Sequence, residues 1–255
     1  MTFTLERRPR ELVFRRGRLA ARTELAPGYV RVRIEGEEFT GFDSPGADDH
    51  IRVFFGPDGG LPSGAELPSS DEFREHGSRE YTPVAWGDAA LELEFLLHGD
   101  GPGASWAASA PVGAPVAVGG PRGSMHVVGT PDAWFLAGDE TAMPAIRRYV
   151  ELAGADAAGT VILESADAAG ELPLEVPAGI SLVRAHRDAG GLAPLIEALT
   201  PADRPAGEVF GFIAAEQAIV KPGRALLHER WALEPAQTIV KGYWKRGDAG
   251  YHAPH

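Results

Sequence analysis

Residues 79–82 read Arg-Glu-Tyr-Thr, and Pro83 follows them. In an extended strand alternate side chains share a face, so Arg79 and Tyr81 point one way and Glu80 and Thr82 the other. A guanidinium can hold phosphate oxygens through paired hydrogen bonds. A phenol ring can stack on a flat heterocycle, and a small hydroxyl can bond one of its edge nitrogens. The set suits a ligand with both a phosphate and a flat ring. An ordinary half-buried strand, where Tyr and Thr are common, is the plainer alternative.

Three further stretches carry chemical potential. In "HGDGPGASWA", His98, Gly99 and Gly101 end an amphipathic strand, and Ala104, Ser105 and Trp106 read as the first turn of a short helix. Glycines let a backbone approach a ligand closely, and the free amides of a first turn bind phosphate. A Gly-rich connection between strands is the alternative, and His98 alone is more often a structural hydrogen-bonding residue than a catalyst. In "LAGDETAMPAI" a buried strand runs through Gly138 into a helix at Asp139, Glu140 and Thr141. That arrangement sets nucleotide phosphates on a helix N-terminus, although the G-x-G-x-x-G fingerprint is absent and Asp139 can serve simply as an N-cap. Glu164, ending the next strand, is positioned to accept hydrogen bonds from a ribose diol. In "KGYWKRG", Tyr243 and Trp244 suit an aromatic lid, with Lys245 and Arg246 facing an anionic substrate; a packed aromatic pair with solvated cations reads equally well.

The elements that must position these residues fall into two groups. Up to about residue 128 the chain reads as β. "YVRVRIEG" alternates Val30, Val32 and Ile34 against Arg31, Arg33 and Glu35, and the turn "APG" pairs it with the preceding "LVFRRGRLAARTEL". "HIRVFF", "REYTPVAW", "ALELEFLLH" and "PVAVGG" supply further strands, with a long polar loop over residues 61–78. Short strands at this spacing predict an antiparallel β-barrel. From about residue 129 strands alternate with helices: "AWFLAG", "GTVILES", "ISLVRAH", "EVFGFIAA" and "QTIVKGYW" are strands, and the segments between them are helical. This order predicts an α/β domain with a parallel sheet. The expected division is residues 1–128 and 129–255.

Composition removes several classes of function. With 255 residues, 44% of them hydrophobic, the chain can bury a sizeable core. It has no cysteine, which removes disulfides, thiol chemistry and protein-ligated iron–sulfur clusters. A net charge of −12 argues against nucleic acid as a partner. The arginines at positions 7, 8, 10, 15, 16, 18 and 22 read as a solvated strand and arm. No stretch approaches the roughly 18 apolar residues of a membrane helix, and the charged start lacks the apolar core of a secretion signal. A cytoplasmic protein without membrane insertion is expected. The eight histidines form no H-E-x-x-H pattern, so no metal site is assigned.

From "FRRGRL" to "GYWKRG" the order and spacing of these segments resemble the siderophore-interacting protein family, FAD-containing ferric-siderophore reductases with a ferredoxin-reductase-like fold. "LAGDETAMPAI" and "GYWKRG" are the most specific matches; "HIRVFF", "GPDGGLP", "REYT", "HGDGPGASWA" and "GGPRGS" support them. The resemblance implies FAD in the barrel, with Arg79 on its phosphate and Tyr81 and Thr82 at the reactive ring. His98, Gly99, Gly101, Ala104, Ser105 and Trp106 line the pyrophosphate and adenosine side. It implies NADH or NADPH as donor, meeting Gly138, Asp139, Glu140 and Thr141, with Tyr243 and Trp244 near the cofactors. It also implies a ferric siderophore as substrate, held by Arg52, Arg122, Lys245 and Arg246, and ferredoxin as a further candidate partner. Three positions depart from the family pattern: Val84 stands where a second arginine is common, "GPGAS" displaces Ser105 by one residue, and Ala215 precedes Glu216 where glycine is usual.

The implied reaction is electron splitting, because a hydride carries two electrons and iron(III) accepts one. The sequence leaves two alternatives: a flavin reductase serving a protein acceptor, and a non-catalytic protein that binds a ferric chelate or a flavin. It also leaves the donor open, since Glu164 disfavours a 2′-phosphate while Arg184, His186 and Arg187 could welcome one.

Overall fold

A computed structural model describes residues 2–55, 78–99, 101–187, 193–248 and 251. "GPDGGLP", nearly all of the polar loop, Asp100 and the terminal "HAPH" lie outside the described residues. The chain divides into two compact units, residues 7–125 and residues 126–255, with residues 1–6 joining the second.

The first unit is built on a seven-stranded antiparallel sheet. Its strands are β2 (Phe14–Ala26), β3 (Tyr29–Glu35), β4 (Ile51–Phe54), β5 (Ser78–Tyr81), β6 (Pro83–Gly87), β7 (Ala90–Leu96) and β8 (Pro115–Gly119), following β1 (Phe3–Pro9). The order across the sheet is β5-β4-β8-β2-β3-β7-β6. "REYTPVAW", read above as one strand, is therefore two. They occupy opposite edges of the sheet and are joined through Thr82 alone. An edge-to-edge connection of one residue is possible only if the sheet curls until its edges meet. The barrel is thus a curled sheet with a covalent seam rather than a cylinder of continuous ladder hydrogen bonds. Pro83 opens the second edge, where its missing N–H costs no ladder bond.

Alternation decides the two faces. Val30, Val32 and Ile34 of β3 are buried, in a core shared with Leu19, Ile51, Val53, Leu91, Leu93, Phe95, Val116 and Val118. Fully burying each such side chain contributes roughly 1.5–3 kcal/mol. The outward residues of β3 find cross-strand partners on β7: Arg31 opposes Glu94 and Arg33 opposes Glu92. Arg31 meets the buried Glu94 at 2.6 Å, and the Tyr29 hydroxyl donates to the same carboxylate at 2.8 Å. Other arginines of the N-terminal group are also engaged. Arg10 pairs with Asp43 at 3.1 Å, and Arg22 donates to the Ala110 carbonyl at 2.8 Å.

The second unit carries a five-stranded parallel sheet, β10 (Ala133–Gly138), β11 (Ala158–Ser165), β12 (Gly179–His186), β13 (Val209–Glu216) and β14 (Thr238–Trp244), ordered β12-β11-β10-β13-β14. All residues of β10 and β13 are buried, as continuous apolar strands covered on both faces must be. The helix preceding β8 is α1 (Pro102–Ser109); those of the second unit are α2 (Met143–Ala153), α3 (Ala193–Leu199) and α4 (Val220–Arg224). The segment 216–233, read above as helical, divides into a 3-10 turn, α4 and a wide turn over Ala225–Arg230. The Trp231 amide there reaches the Leu226 carbonyl, five residues back, at 3.0 Å.

One pairing has no counterpart in the sequence reading: β1 pairs with β9 (Gly123–Gly129) as a two-stranded ribbon. Only Phe3 of β1 is buried, so no alternation announces the strand. Phe3 is 3% exposed and meets Phe210 edge-on at 6.3 Å, while the Thr2 hydroxyl donates to Glu208 at 3.0 Å. No described helix is long and apolar enough to cross a membrane. Truncating Phe3 to Ala should cost about 3–5 kcal/mol of second-unit stability. Denaturant unfolding monitored on that unit's tryptophans should record the loss.

Candidate functional site

At the seam, β5 pairs with β4 so that Val53 opposes Arg79 and Ile51 opposes Tyr81. Because Val53 and Ile51 are core residues, Arg79 and Tyr81 lie on the inward face at the edge, with Glu80 outward. The Tyr81 ring is partly exposed and packs at 4.2 Å from Phe95, at 42°, and edge-on to Phe55 at 6.2 Å. Trp106 closes the group, 5.4 Å from Phe55 and 6.1 Å from Phe95. Burial pushes the phenol pKa far up, against the pull of the Arg79 charge. Tyr81 therefore stays neutral at physiological pH, and its ring and hydroxyl are available as an uncharged surface rather than an acid–base group. Thr82 is 8% exposed. The Arg79 guanidinium donates to the Ser78 carbonyl at 2.6 Å, which holds the end of its side chain against the strand.

Helix α1 completes this side. Pro102 occupies its first turn, and no side chain caps Gly101, so the amides of Gly103 and Ala104 keep the donors that a helix start leaves unpaired. Gly103 is required by contact: a Cβ there would lie 2.0 Å from the Tyr81 hydroxyl. A Cβ at Gly99 or Gly101 would have no described atom within 4 Å. The indole N–H of Trp106 is buried with no hydrogen-bond partner among the described residues. His98 and Ser105 are exposed and Ala104 is half-buried. Phe55, Phe95 and Gly103 were not singled out above; the alternation of "LELEF" marks Phe95 only as core.

The second group sits at the carboxyl edge of the parallel sheet. Four carboxylates are buried there: Asp139, Glu140, Glu164 and Glu216, at 1, 5, 2 and 6% exposure. Each accepts a backbone N–H from the chain that follows a strand. Asp139 takes Thr141 N–H at 2.9 Å, Glu140 takes Ala166 at 2.9 Å, Glu164 takes Leu195 at 2.8 Å and Glu216 takes Ala218 at 2.6 Å. Helix starts in α/β sheets are ready anion sites; here internal anions fill them. Gly138 serves packing, since a Cβ would meet Ala142 and the Ala214 carbonyl at 2.6 Å each.

Two further contacts give this edge its form. Trp244 donates its indole N–H to Asp139 at 2.7 Å, and the Arg246 amide donates to Glu216 at 3.1 Å. The "GYWKRG" segment is thus tethered by carboxylates from the neighbouring strands. Arg187 bridges Glu164, at 3.0 Å, and Glu140. Burial works to lower the Arg187 pKa, and the two carboxylates outweigh it, so the pKa is raised. Removing one partner of such a buried group typically costs about 3–5 kcal/mol. Glu164, expected to meet a ribose diol, is instead turned inward with both oxygens engaged. Beside it lies a shallow recess lined by Glu164, Leu195, Ile196, Ala215, Glu216 and Ile219.

The four cations assigned to an anionic substrate differ in state. Arg52 is paired with Glu80 at 2.8 Å and also reaches the Ser78 hydroxyl, so it braces β5. Arg122 is exposed, close to the start of β4: a Cβ at Gly120 would lie 3.4 Å from the Arg122 amide and 3.8 Å from the His50 carbonyl. Lys245 and Arg246 are exposed in the second unit, and Tyr243 is half-buried.

Comparison with known proteins agrees with this architecture. Residues 131–247 match the siderophore-interacting protein family, and residues 18–125 match the siderophore-interacting FAD-binding domain. An uncharacterized protein of Mycobacterium tuberculosis is 32% identical over 255 residues, covering 90% of this chain and 89% of its own. The ferric vibriobactin reductase ViuB of Vibrio cholerae is 29% identical over 241 residues, covering 89% of each. A siderophore utilization protein from T. fusca superposes with a TM-score of 0.83 at 33% identity, over 96% of this chain and 97% of that one. The fold is ferredoxin-reductase-like, as in the ferredoxin reductase of carbazole 1,9a-dioxygenase, with a TM-score of 0.65 at 13% identity over 92% and 68% of the two chains.

The buried carboxylates carry a pH signature. Burial raises the pKa of Asp139 and of Glu164, against the hydrogen bonds from Thr141 and Trp244 to the first and from Arg187 and Leu195 to the second. A carboxyl whose pKa is raised by folding favours the folded state when protonated. This contribution is fully present below the unfolded pKa, near 4, and is lost as pH rises through the folded value. Asp139→Asn should therefore lessen the fall in the second unit's unfolding midpoint as pH rises above about 4, measured by thermal melts across pH.

Proposed function

The chain belongs to the siderophore-interacting protein family, and from that premise we propose that it is a flavin-dependent ferric-siderophore reductase. Electrons from a nicotinamide nucleotide reach the iron(III) of the chelate, and iron(II) leaves the siderophore. One hydride donor reduces two ferric chelates, each taking one electron. The observation that carries this reading is the partly exposed Tyr81 ring, next to Arg79 and above Gly103, at the seam of an FAD-binding domain.

The residues there fit FAD. Arg79 and the amides of Gly103 and Ala104 would hold phosphate, with Gly99 and Gly101 open for close backbone approach. The buried Trp106 indole N–H supplies a donor whose satisfaction requires an acceptor from outside the described set. Bound FAD would supply the conversion of a two-electron donor into one-electron transfers, which a chain without cysteine has no cluster to perform. Tyr81 would offer a neutral surface to the ring, and Thr82, at the one-residue crossing between β5 and β6, a hydroxyl beside it.

In the second unit we assign Gly138, Asp139, Glu140 and Thr141 to the edge met by the nicotinamide nucleotide. Asp139 would act there by orienting Trp244, since its carboxylate already takes the amide a phosphate would use. Arg122, Lys245 and Arg246 would attract an anionic chelate. Replacing iron(III) by iron(II) weakens the hold of hard oxygen ligands, so release needs no metal ligand from the protein.

The purified protein should be yellow or take up FAD. Anaerobic addition of donor should bleach the flavin band, and a ferric siderophore should restore it while a ferrous-specific dye records iron(II). A band that bleaches but is not restored by any ferric chelate would leave only a flavin reductase for another acceptor. Failure to bind FAD would end the proposal. Arg122→Ala should raise the KM for an anionic chelate roughly two- to fivefold, as loss of an exposed ion contact of about 1 kcal/mol does. Arg52→Ala should instead lower first-unit stability by unpairing Glu80, visible in thermal unfolding with little change in that KM.

A further inference from the structure

The stretch that runs over the ends of β11 and β12 holds few cations. Between Arg148 and Arg204 the sequence has no Lys, Arg or His except Arg184, His186 and Arg187. All three are already held. Arg187 lies between Glu140 and Glu164. His186 contacts Glu171 at 2.7 Å, and Arg184 is 3.7 Å from the same carboxylate while donating to the Leu172 carbonyl at 2.9 Å. The loop after β11 adds Asp167, whose carboxylate accepts the Gly170 amide at 2.9 Å, and offers no cation of its own.

In parallel α/β domains the adenosine ribose lies past the end of the second strand. An acidic residue there suits a 2′-hydroxyl, whereas a 2′-phosphate needs an arginine. NADH and NADPH differ only in that phosphate, which carries close to two negative charges at neutral pH. At this edge it would enter among Glu140, Glu164, Asp167 and Glu171. It would have to draw Arg187 off two buried carboxylates, or Arg184 and His186 off Glu171. A neutral hydroxyl meets neither obstacle.

We propose that this edge selects NADH over NADPH, with Glu171 as the specificity-determining residue that keeps Arg184 and His186 from a 2′-phosphate. The inference rests on the reading of the chain as a nicotinamide-fed flavoprotein and names its donor. Glu171 is half-buried at the surface and Arg187 is locked internally, so Glu171 is the switch that a substitution can reach without uncovering a buried charge.

The test uses the FAD-loaded full chain in anaerobic stopped-flow bleaching of the flavin band, with NADH and NADPH as alternative donors. NADH should be favoured in kcat/KM by at least roughly tenfold, the size of a single well-placed discrimination. Glu171→Gln should narrow the gap by lowering the KM for NADPH, with kcat for that donor little changed. As a second readout, 2′,5′-ADP should inhibit the parent protein more weakly than ADP, and Glu171→Gln should reverse that order. Equal or better use of NADPH by the parent protein overturns the inference while leaving the reductase intact. A gap that Glu171→Gln leaves unaltered removes Glu171 from the role. Bleaching by neither nucleotide defeats the donor reading itself, a result separable from both.

Discussion

Thr82 is the only residue between two strands that sit at opposite edges of a seven-stranded sheet. That covalent constraint fixes the curl of the first unit, because the edges cannot separate by more than one residue's span. It also determines what the seam presents. Alternation turns Arg79 and Tyr81 inward at an edge that no described ladder of hydrogen bonds joins to β6. Interior-facing side chains elsewhere in the sheet are covered by strands on both sides. At an interrupted seam they can be partly exposed without giving up the core beneath them. Phe95 supports the Tyr81 ring and Gly103 makes room for its hydroxyl, so the ring's position is set by packing as well as by chain path.

The second unit solves a different problem. A parallel sheet points the starts of its helices and connecting turns at one edge, each with unpaired amides and partial positive charge. This chain answers with its own carboxylates. Asp139, Glu140, Glu164 and Glu216 satisfy those amides, and Arg187 offsets part of the charge. The arrangement fixes a rigid edge but makes burial of several acids necessary, and the raised pKa of Asp139 and Glu164 records that cost. Trp244 and the Arg246 amide are drawn into the same network, which ties the last strand's exit to the exits of β10 and β13.

Much of this was legible in the sequence, for identifiable reasons. The central parallel strands β10 and β13 announce themselves because burial on both faces demands unbroken apolar runs such as "AWFLAG" and "EVFGFIAA". The β2–β3 hairpin is legible because only one face is buried and the pattern alternates. The split of "REYTPVAW" was not, since a residue-by-residue pattern cannot say that Pro83 begins a strand on the far edge. The β1–β9 ribbon escaped notice because a single buried residue, Phe3, has no period. At the site, residue types single out Arg79, Tyr81, Gly138 and Asp139, but type alone does not reveal a partner. Glu164 reads as a ribose acceptor until its two oxygens are seen on Arg187 and Leu195. Arg52 reads as a substrate cation until Glu80 is seen opposite it in register.

The two units therefore offer phosphate opposite surroundings, and chemistry rather than shape separates them. Helix α1 begins with proline and glycine and no side-chain cap at Gly101, so among the described residues its first amides have no side-chain competitor, and a phosphate would bring them the charge they lack. Every corresponding amide named at the parallel edge is taken by a fixed carboxylate that a phosphate would have to displace or adjoin. A tightly retained phosphorylated cofactor belongs with the first arrangement. A donor that must arrive, react and depart would be better matched to the second, where its phosphates would meet amides already held by carboxylates.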